Sequence, residues 1–303
     1  MCCLFGMIDY GSSLTVSQRN HIISVLSKEC EVRGTDATGI AYNHDGSLRI
    51  FKRPLPARKM WWRLKSDASV VMGHTRMTTQ GSEKFNRNNH PFRGNVNGEH
   101  FALAHNGMLY NDKSLRREQN LPKTDIETDS YIAVQLIEKS GRLSFNSLAD
   151  MVEQLEGSFT ITFLDEKNNL YFIKGSNPMC IYHWKERGLY LYASTEEILL
   201  NALSKISLNL GRHEKIPIES GEILRIDRHG ERQKCQFTLK PSFMSCAYVP
   251  WYSDFLRESS YIDDLKSLSG LFGYTAEDID ELLETGITPE EIEDWFYFCG
   301  EEV

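Results

Sequence analysis

No run of about 18 apolar residues occurs anywhere in this 303-residue chain, so the sequence offers no candidate membrane-spanning helix. The opening segment has no cationic stretch followed by an apolar one, which excludes a recognisable signal peptide. The expectation is a soluble, cytoplasmic protein. CxxC pairs are also missing. The seven cysteines, Cys2, Cys3, Cys30, Cys180, Cys235, Cys246 and Cys299, are odd in number and scattered. That pattern argues against a disulfide framework or a zinc knuckle and reads as mostly buried thiols. Internal repeats and low-complexity segments are absent. What remains is ordinary globular composition, 41% hydrophobic and 25% charged, enough for one large domain and an appendage.

Charge is unevenly placed. Residues 241–303 hold 2 basic and 15 acidic residues, whereas residues 1–240 hold 32 basic and 27 acidic ones. The chain reads as two electrostatic units, with the acidic one a solvated face or a docking element. Arg49, Lys52, Arg53, Arg58, Lys59, Arg63 and Lys65 form an acid-free basic stretch beside Trp61 and Trp62. Overall acidity and the absence of a reader motif argue against nucleic-acid binding; a solvated face or a dock for the acidic segment is the preferred reading.

Apolar spacing predicts a helix over Thr15–Cys30, ending before Arg33-Gly34. Ala68–His74 and Phe101–His105 read as strands that end in polar, glycine-containing turns. Helices are expected over Asp129–Glu138 and Phe145–Glu156. Phe159–Leu164, Leu170–Lys174, Cys180–Trp184 and Leu189–Ala193 then read as an antiparallel meander. A helix over Thr195–Leu203 follows, with Ser194 and Glu197 spaced as a capping box, and a hairpin closes over Gly221–Ile226 and Cys235–Leu239. Two sets of antiparallel strands with helices between them imply packed sheets covered by helices. In the acidic segment, Thr275 with Asp278 and Thr288-Pro289-Glu290-Glu291 are two helix starts. Gly286 stops the first helix. The two apolar stripes are Ile279, Leu282 and Leu283, then Ile292, Trp295 and Phe296, and helices this short need a packed face.

The chemistry begins at Cys2. Once Met1 is removed, a terminal cysteine is a complete nucleophile, because its α-amino group, with a pKa near ~7.7–8.0, can take the thiol proton and return it. Five strings follow in order: Cys2-Cys3-Leu4-Phe5-Gly6, Arg33-Gly34-Thr35-Asp36-Ala37-Thr38-Gly39-Ile40, Gly73-His74-Thr75-Arg76-Met77-Thr78-Thr79-Gln80-Gly81, His105-Asn106-Gly107 and Glu127-Thr128-Asp129-Ser130. Together they resemble the glutaminase domain of class II glutamine amidotransferases, in the N-terminal nucleophile hydrolase family. The resemblance covers residues 2 to about 240.

It implies an α+β fold, a four-layer αββα sandwich over residues 1–240 with a small helical appendage at 241–303, and no metal or organic cofactor. It implies Cys2 as the nucleophile, with the Asn106 side-chain amide and the Gly107 backbone N–H as the oxyanion hole. Arg76 would clamp the α-carboxylate of glutamine through its planar fork, and Asp129 would receive the α-ammonium or cap a helix. Thr78 and Thr79 would bond the carboxylate or thioester region, and Arg33 would orient the nucleophile region. His74 and His105 lack metal-ligand spacing and are taken as structural. Asn88, Asn89, His90 and Pro91 resemble an Asn-x-x-Pro segment that shapes a loop.

Three departures stand out. Cys3 occupies a position where the family has glycine, and its side chain must find space beside the catalytic thiol. Met77 and Gln80 replace the aromatic residue and the histidine of the sugar-synthase branch. No phosphoribosyltransferase, sugar isomerase or ATP-pyrophosphatase module is recognisable after residue 240. The expected function is therefore a glutaminase that supplies ammonia to a separate synthase or ligase subunit. The alternatives are a free-standing hydrolase of other γ-glutamyl amides and a regulatory module of the same fold.

Overall fold

The computed structural model describes residues 2–239 and 274–285, together with Lys266, Ser269, Ile287 and Ile292. The chain divides into two compact units, Met1–Ser242 and Phe243–Val303.

The first unit is built on two antiparallel sheets. The seven-stranded sheet contains β1 (Cys3–Asp9), β2 (Ala37–His44), β3 (Ser47–Arg53), β4 (Val70–Arg76), β9 (Cys180–Trp184), β10 (Leu189–Ala193) and β11 (Glu214–Lys215). Its order is β11-β9-β10-β1-β4-β2-β3, so β1 is the central strand. The six-stranded sheet contains β5 (Phe92–Val96), β6 (Glu99–Leu109), β7 (Gly157–Asp165), β8 (Leu170–Lys174), β12 (Glu222–Ile226) and β13 (Arg232–Gln236), in the order β13-β12-β8-β7-β6-β5.

Alternation of side chains along each strand creates three apolar layers. Leu4, Ile8, Val70, Met72, Ala102, Ala104, Phe172 and Tyr192 meet between the sheets. On the outer face of the seven-stranded sheet, Cys3, Phe5 and Met7 pack against α1 (Val16–Glu29) and α5 (Glu196–Lys205). On the outer face of the other sheet, Leu103, Ile161 and Ile173 pack against α3 (Tyr131–Ser140) and α4 (Phe145–Val152). A short helix, α2 (Asp112–Glu118), adds Leu115 to the same layer. This is the αββα sandwich. Each fully buried aliphatic side chain contributes about 1.5–3 kcal/mol, so the three layers hold the sheets in a fixed face-to-face arrangement.

Local chemistry sets the helix ends. Thr15 caps α1: its side chain accepts from the Gln18 N–H at 3.2 Å while the Gln18 side chain accepts from the Thr15 N–H at 2.8 Å. The predicted cap of α5 is displaced by one residue. Thr195, not Ser194, accepts the Ile198 N–H, at 3.3 Å.

The four predicted strands of the meander all form, but they do not form a meander. β7 pairs with β8 in one sheet and β9 with β10 in the other. Both faces of these strands are covered, so β8, β9 and β10 read as near-continuous apolar runs. Nothing in such a run marks the link Gly175-Ser176-Asn177-Pro178-Met179 as the crossing between sheets. The predicted strands Ala68–His74 and Phe101–His105 also run further, to Arg76 and Leu109.

In the second unit, α6 (Ala276–Glu284) begins at a capping box formed by Thr275 and Asp278. Ile279 is buried with Ile292 against Tyr274, Leu282, Leu283 and Ile287. The helix start at Thr288-Pro289-Glu290-Glu291, the stop at Gly286, and Trp295, Phe296, Cys246 and Cys299 lie outside the described residues.

Candidate active site

Cys2 directly precedes the central strand. Strand alternation turns its side chain toward the same side as Leu4 and Ile8, between the sheets, and its Sγ lies 3.5 Å from the Met77 carbonyl oxygen. Burial pushes the thiol up from its ordinary pKa, against the lowering effect of the Met77 contact and of the Arg76 charge. Cys3 points the other way. Its side chain is fully buried under α1, and its Sγ is 2.9 Å from that of Cys30. The pleat therefore answers the steric question raised by the missing glycine, because the two neighbouring thiols occupy opposite faces of the sheet.

A narrow cleft opens at Cys2. Arg76, Thr79, Gly107 and Asp129 line it together with Cys2, and so do Gln80, His90, His105, Thr128 and Ser130. Thus five of the predicted site residues converge from four of the five strings. Asn106 adjoins Gly107 and is wholly buried. Arg33 and Thr78 are not among the residues that line the cleft. The Arg33 Nε donates to the Cys2 carbonyl oxygen at 3.2 Å, and the Thr78 N–H donates to the Asp36 carboxylate at 2.7 Å.

Arg76 is the last residue of β4. Its guanidinium donates to Asn89 Oδ1 at 2.7 Å and to the carbonyl oxygens of Gln80 at 2.6 Å and Gly81 at 2.8 Å. These contacts use three of the five N–H donors of the fork and fix its plane. Gly34 makes room for this strand end, since a Cβ there would lie 2.5 Å from the Arg76 carbonyl carbon. Asp129 lies just before α3, and Ser130 takes the helix N-cap position without a side-chain cap bond. The Asp129 carboxylate accepts the backbone N–H groups of Leu109 at 2.6 Å and Ser130 at 2.8 Å, and the Ser130 hydroxyl at 3.2 Å.

Asn106 and Gly107 sit within β6, opposite Thr160 and Phe159 of β7, rather than in a turn. Gly107 has φ +140°, and a Cβ there would lie 2.0 Å from the Ser158 carbonyl oxygen. No other residue fits that position.

Several contributors were missed or undervalued in the sequence. Asn89 holds Arg76 directly. Asn88 donates to Glu127 Oε2 at 2.7 Å and accepts its N–H at 3.1 Å, tying the Asn88–Pro91 segment to the fifth string. Gln80 also accepts the Asp129 N–H through its side chain, at 3.1 Å. Lys52, read as part of a basic face, is half-buried and donates to the carbonyl oxygens of Asn89 and of Pro91, the latter at 2.9 Å. Burial lowers its pKa to about 7. Arg58 likewise is paired, with Glu31 at 2.6 Å. The signal for Gln80, Asn88 and Asn89 was polar residue type inside a matched string or in the Asn88–Pro91 segment; Lys52 and Arg58 lie outside both.

His74, His90 and His105 form a buried group beside the cleft. The His74 and His90 rings lie 4.2 Å apart, and His74 Nε2 is 2.9 Å from the His105 carbonyl oxygen. Burial pushes His74 down to about 3 and lowers His90 and His105 as well. His105 is engaged at both nitrogens, by the Ser130 hydroxyl at 2.8 Å and the Ser158 carbonyl oxygen at 3.3 Å. Among the described residues, the three-membered group able to share a metal ion is His44, Asp45 and Asp67, none of which lines this cleft. No described helix is long and apolar enough to cross a membrane.

Two face-to-face antiparallel sheets between helical layers, with a thiol at the start of the central strand, define a sandwich of the N-terminal nucleophile hydrolase type. A family profile described as a glutamine amidotransferase domain matches residues 74–201. Glutamine–fructose-6-phosphate aminotransferase (isomerizing) of Staphylococcus aureus is 29% identical over 239 residues, 76% of this chain and 38% of that protein. Its Staphylococcus epidermidis counterpart is 30% identical over 190 residues, 60% of this chain and 30% of that protein. In fold, the chain resembles the glutamine phosphoribosylpyrophosphate amidotransferase of B. subtilis, with a TM-score of 0.60 at 20% identity, covering 79% of this chain and 50% of that one. A structure described as the allosteric regulatory enzyme of purine biosynthesis gives 0.62 at 19% identity, with the same coverage. Residues 74–201 thus match a glutamine amidotransferase domain, and the chain spans about 38% of the length of the Staphylococcus aureus relative.

Proposed function

We propose that this domain hydrolyses the side-chain amide of glutamine through Cys2, after removal of Met1, and passes the ammonia to an acceptor site on a separate synthase or ligase subunit. The observation that carries this reading is the convergence of Cys2, Arg76, Gly107 and Asp129 on one cleft. A half-buried thiol whose pKa is raised needs an adjacent base, and the freed α-amino group of the same residue is the nearest possible one. It takes the thiol proton, and the sulfur attacks the amide carbonyl carbon. The oxyanion that develops is met by the Asn106 carboxamide and the Gly107 N–H. Collapse breaks the C–N bond, the proton returns to the leaving nitrogen, and ammonia departs from a γ-glutamyl thioester. Water then attacks the thioester, giving glutamate and the free thiol.

The remaining N–H donors of Arg76 take the substrate α-carboxylate and Asp129 takes the α-ammonium. Thr79 adds a hydroxyl to the cleft wall, with Thr78 beside it, and Arg33 holds the backbone of the nucleophile. No cofactor enters these steps. The strongly acidic composition of residues 241–303 suits a docking element for the ammonia-accepting subunit.

The test is to verify loss of Met1 by mass spectrometry and then treat the protein with glutamine or a glutamine-mimicking diazoketone. Glutamate release and a covalent adduct on Cys2 are expected, and Cys2→Ala removes both. Absence of both in the processed wild type overturns the reading. Strong preference for γ-glutamyl peptides over glutamine would instead make the domain a free-standing amidase.

A further inference from the structure

We propose that Ser194 is a positioning residue which fixes the orientation of the Asn106 carboxamide and so aims the oxyanion donor; this rests on the amidotransferase reading above. The spacing of Ser194 and Glu197 resembles a helix cap, yet the cap of α5 belongs to Thr195. Ser194 is instead fully buried and carries the β10–β1 ladder one step past Ala193. Its N–H donates to the Leu4 carbonyl oxygen at 2.9 Å, and its Oγ accepts the Leu4 N–H at 2.8 Å. Leu4 is two residues from Cys2.

On its other side, Ser194 faces Asn106. In the orientation described, Asn106 Nδ2 approaches Ser194 Oγ at 3.5 Å, the outer limit of a hydrogen bond, while the buried Oδ1 has no partner. The Asn106 backbone is held separately. Its carbonyl oxygen accepts from Asn177 Nδ2 at 3.3 Å, and the Asn177 carbonyl oxygen accepts the Thr160 hydroxyl at 2.5 Å. Only rotation of the carboxamide about its own axis is left to decide.

A half-turn resolves the accounts. Ser194 Oγ keeps the Leu4 N–H, its O–H donates to Asn106 Oδ1, and both Nδ2 hydrogens are released. The competing acceptor for that O–H is the Cys3 sulfur, which accepts more weakly than an amide oxygen. One hydroxyl then ties the strand that carries the nucleophile to the group that stabilises the oxyanion.

Ser194→Ala in the processed full-length protein tests this. Direct loss of an oxyanion donor costs about 10²–10³ in kcat, so loss of its positioning is expected to lower kcat roughly 10- to 100-fold with KM within about twofold. The inhibition constant of glutamate γ-semialdehyde, which forms a tetrahedral adduct on the thiol, rises by a matching factor. Alkylation of Cys2 by iodoacetamide, which develops no oxyanion, keeps its rate. Unchanged kcat and inhibition constant overturn the proposal. So does a parallel fall in alkylation, which would place the effect on the Cys2 strand. Neutron diffraction of the deuterated wild type gives a readout independent of turnover. A Ser194 deuteron directed at Asn106 Oδ1 is expected, and Asn106 deuterons directed at Ser194 overturn the proposal even if glutamine is the wrong substrate.

Discussion

The two sheets contribute to the cleft in different ways. The seven-stranded sheet supplies Cys2 and Arg76 at strand ends, where the chain is about to become a loop and a side chain can meet a ligand. The six-stranded sheet supplies Asn106 and Gly107 from within β6, locked by ladder partners on β7. On the proposed reading, the difference follows from what each group must do. A nucleophile and a charge clamp need access, whereas oxyanion donors act through rigidity, since their value lies in being aimed before charge develops.

The largest expected effect comes from breaking the rigid side. Gly107→Ala forces a Cβ to within 2.0 Å of the Ser158 carbonyl oxygen at a φ that disfavours side chains. A fall in kcat of about 10²–10³-fold is expected, with destabilisation on the order of 2–4 kcal/mol, read by glutamate release and urea unfolding. Near-normal turnover would show that the mid-strand position is not the oxyanion hole.

A smaller effect, on stability rather than rate, probes the support of the clamp. Lys52 holds the Asn89–Pro91 backbone behind Arg76, with a folded pKa of about 7 against roughly 10.4 in an unfolded chain. Between those values the unfolded chain binds more protons, so stability rises with pH through this window and falls back as pH drops toward 7. The urea midpoint should climb from pH 7 to pH 9 in the wild type and climb less in Lys52→Met. Equal slopes would mean that the ammonium is not held in a desolvated site.

The smallest effect sharpens the contrast between the two faces of β1. Cys3→Ala removes one buried sulfur from the layer under α1, at a cost of about 1 kcal/mol, while kcat stays within about twofold. A large loss of rate would mean that Cys3 acts on the cleft side.

The order of the five strings, most strand positions and five of the cleft-lining residues, Cys2, Arg76, Thr79, Gly107 and Asp129, were legible before the fold was known, because residue type and spacing carry them. The sheet to which each strand belongs was not. β8 and β9 are both apolar on both faces, so periodicity could not show that the chain crosses between sheets at Gly175–Met179. Ser194 was misread for a related reason. A serine before a helix satisfies the capping pattern, and only the register of β10 against β1 reveals that its hydroxyl is committed to Leu4. His105-Asn106-Gly107 resembled a turn because Asn-Gly usually marks one; here glycine serves an unusual φ inside a strand.

Gln80 entered only as a departure from the sugar-synthase pattern, yet its carbonyl oxygen receives Arg76 and its side chain receives the Asp129 N–H. One residue thus spans the cationic and anionic ends of the cleft and acts as a caliper between them. On the proposed reading, the site gauges the separation and handedness of an amino acid's two charges as well as their sign. A D-enantiomer seated on both jaws would then present its amide away from Cys2.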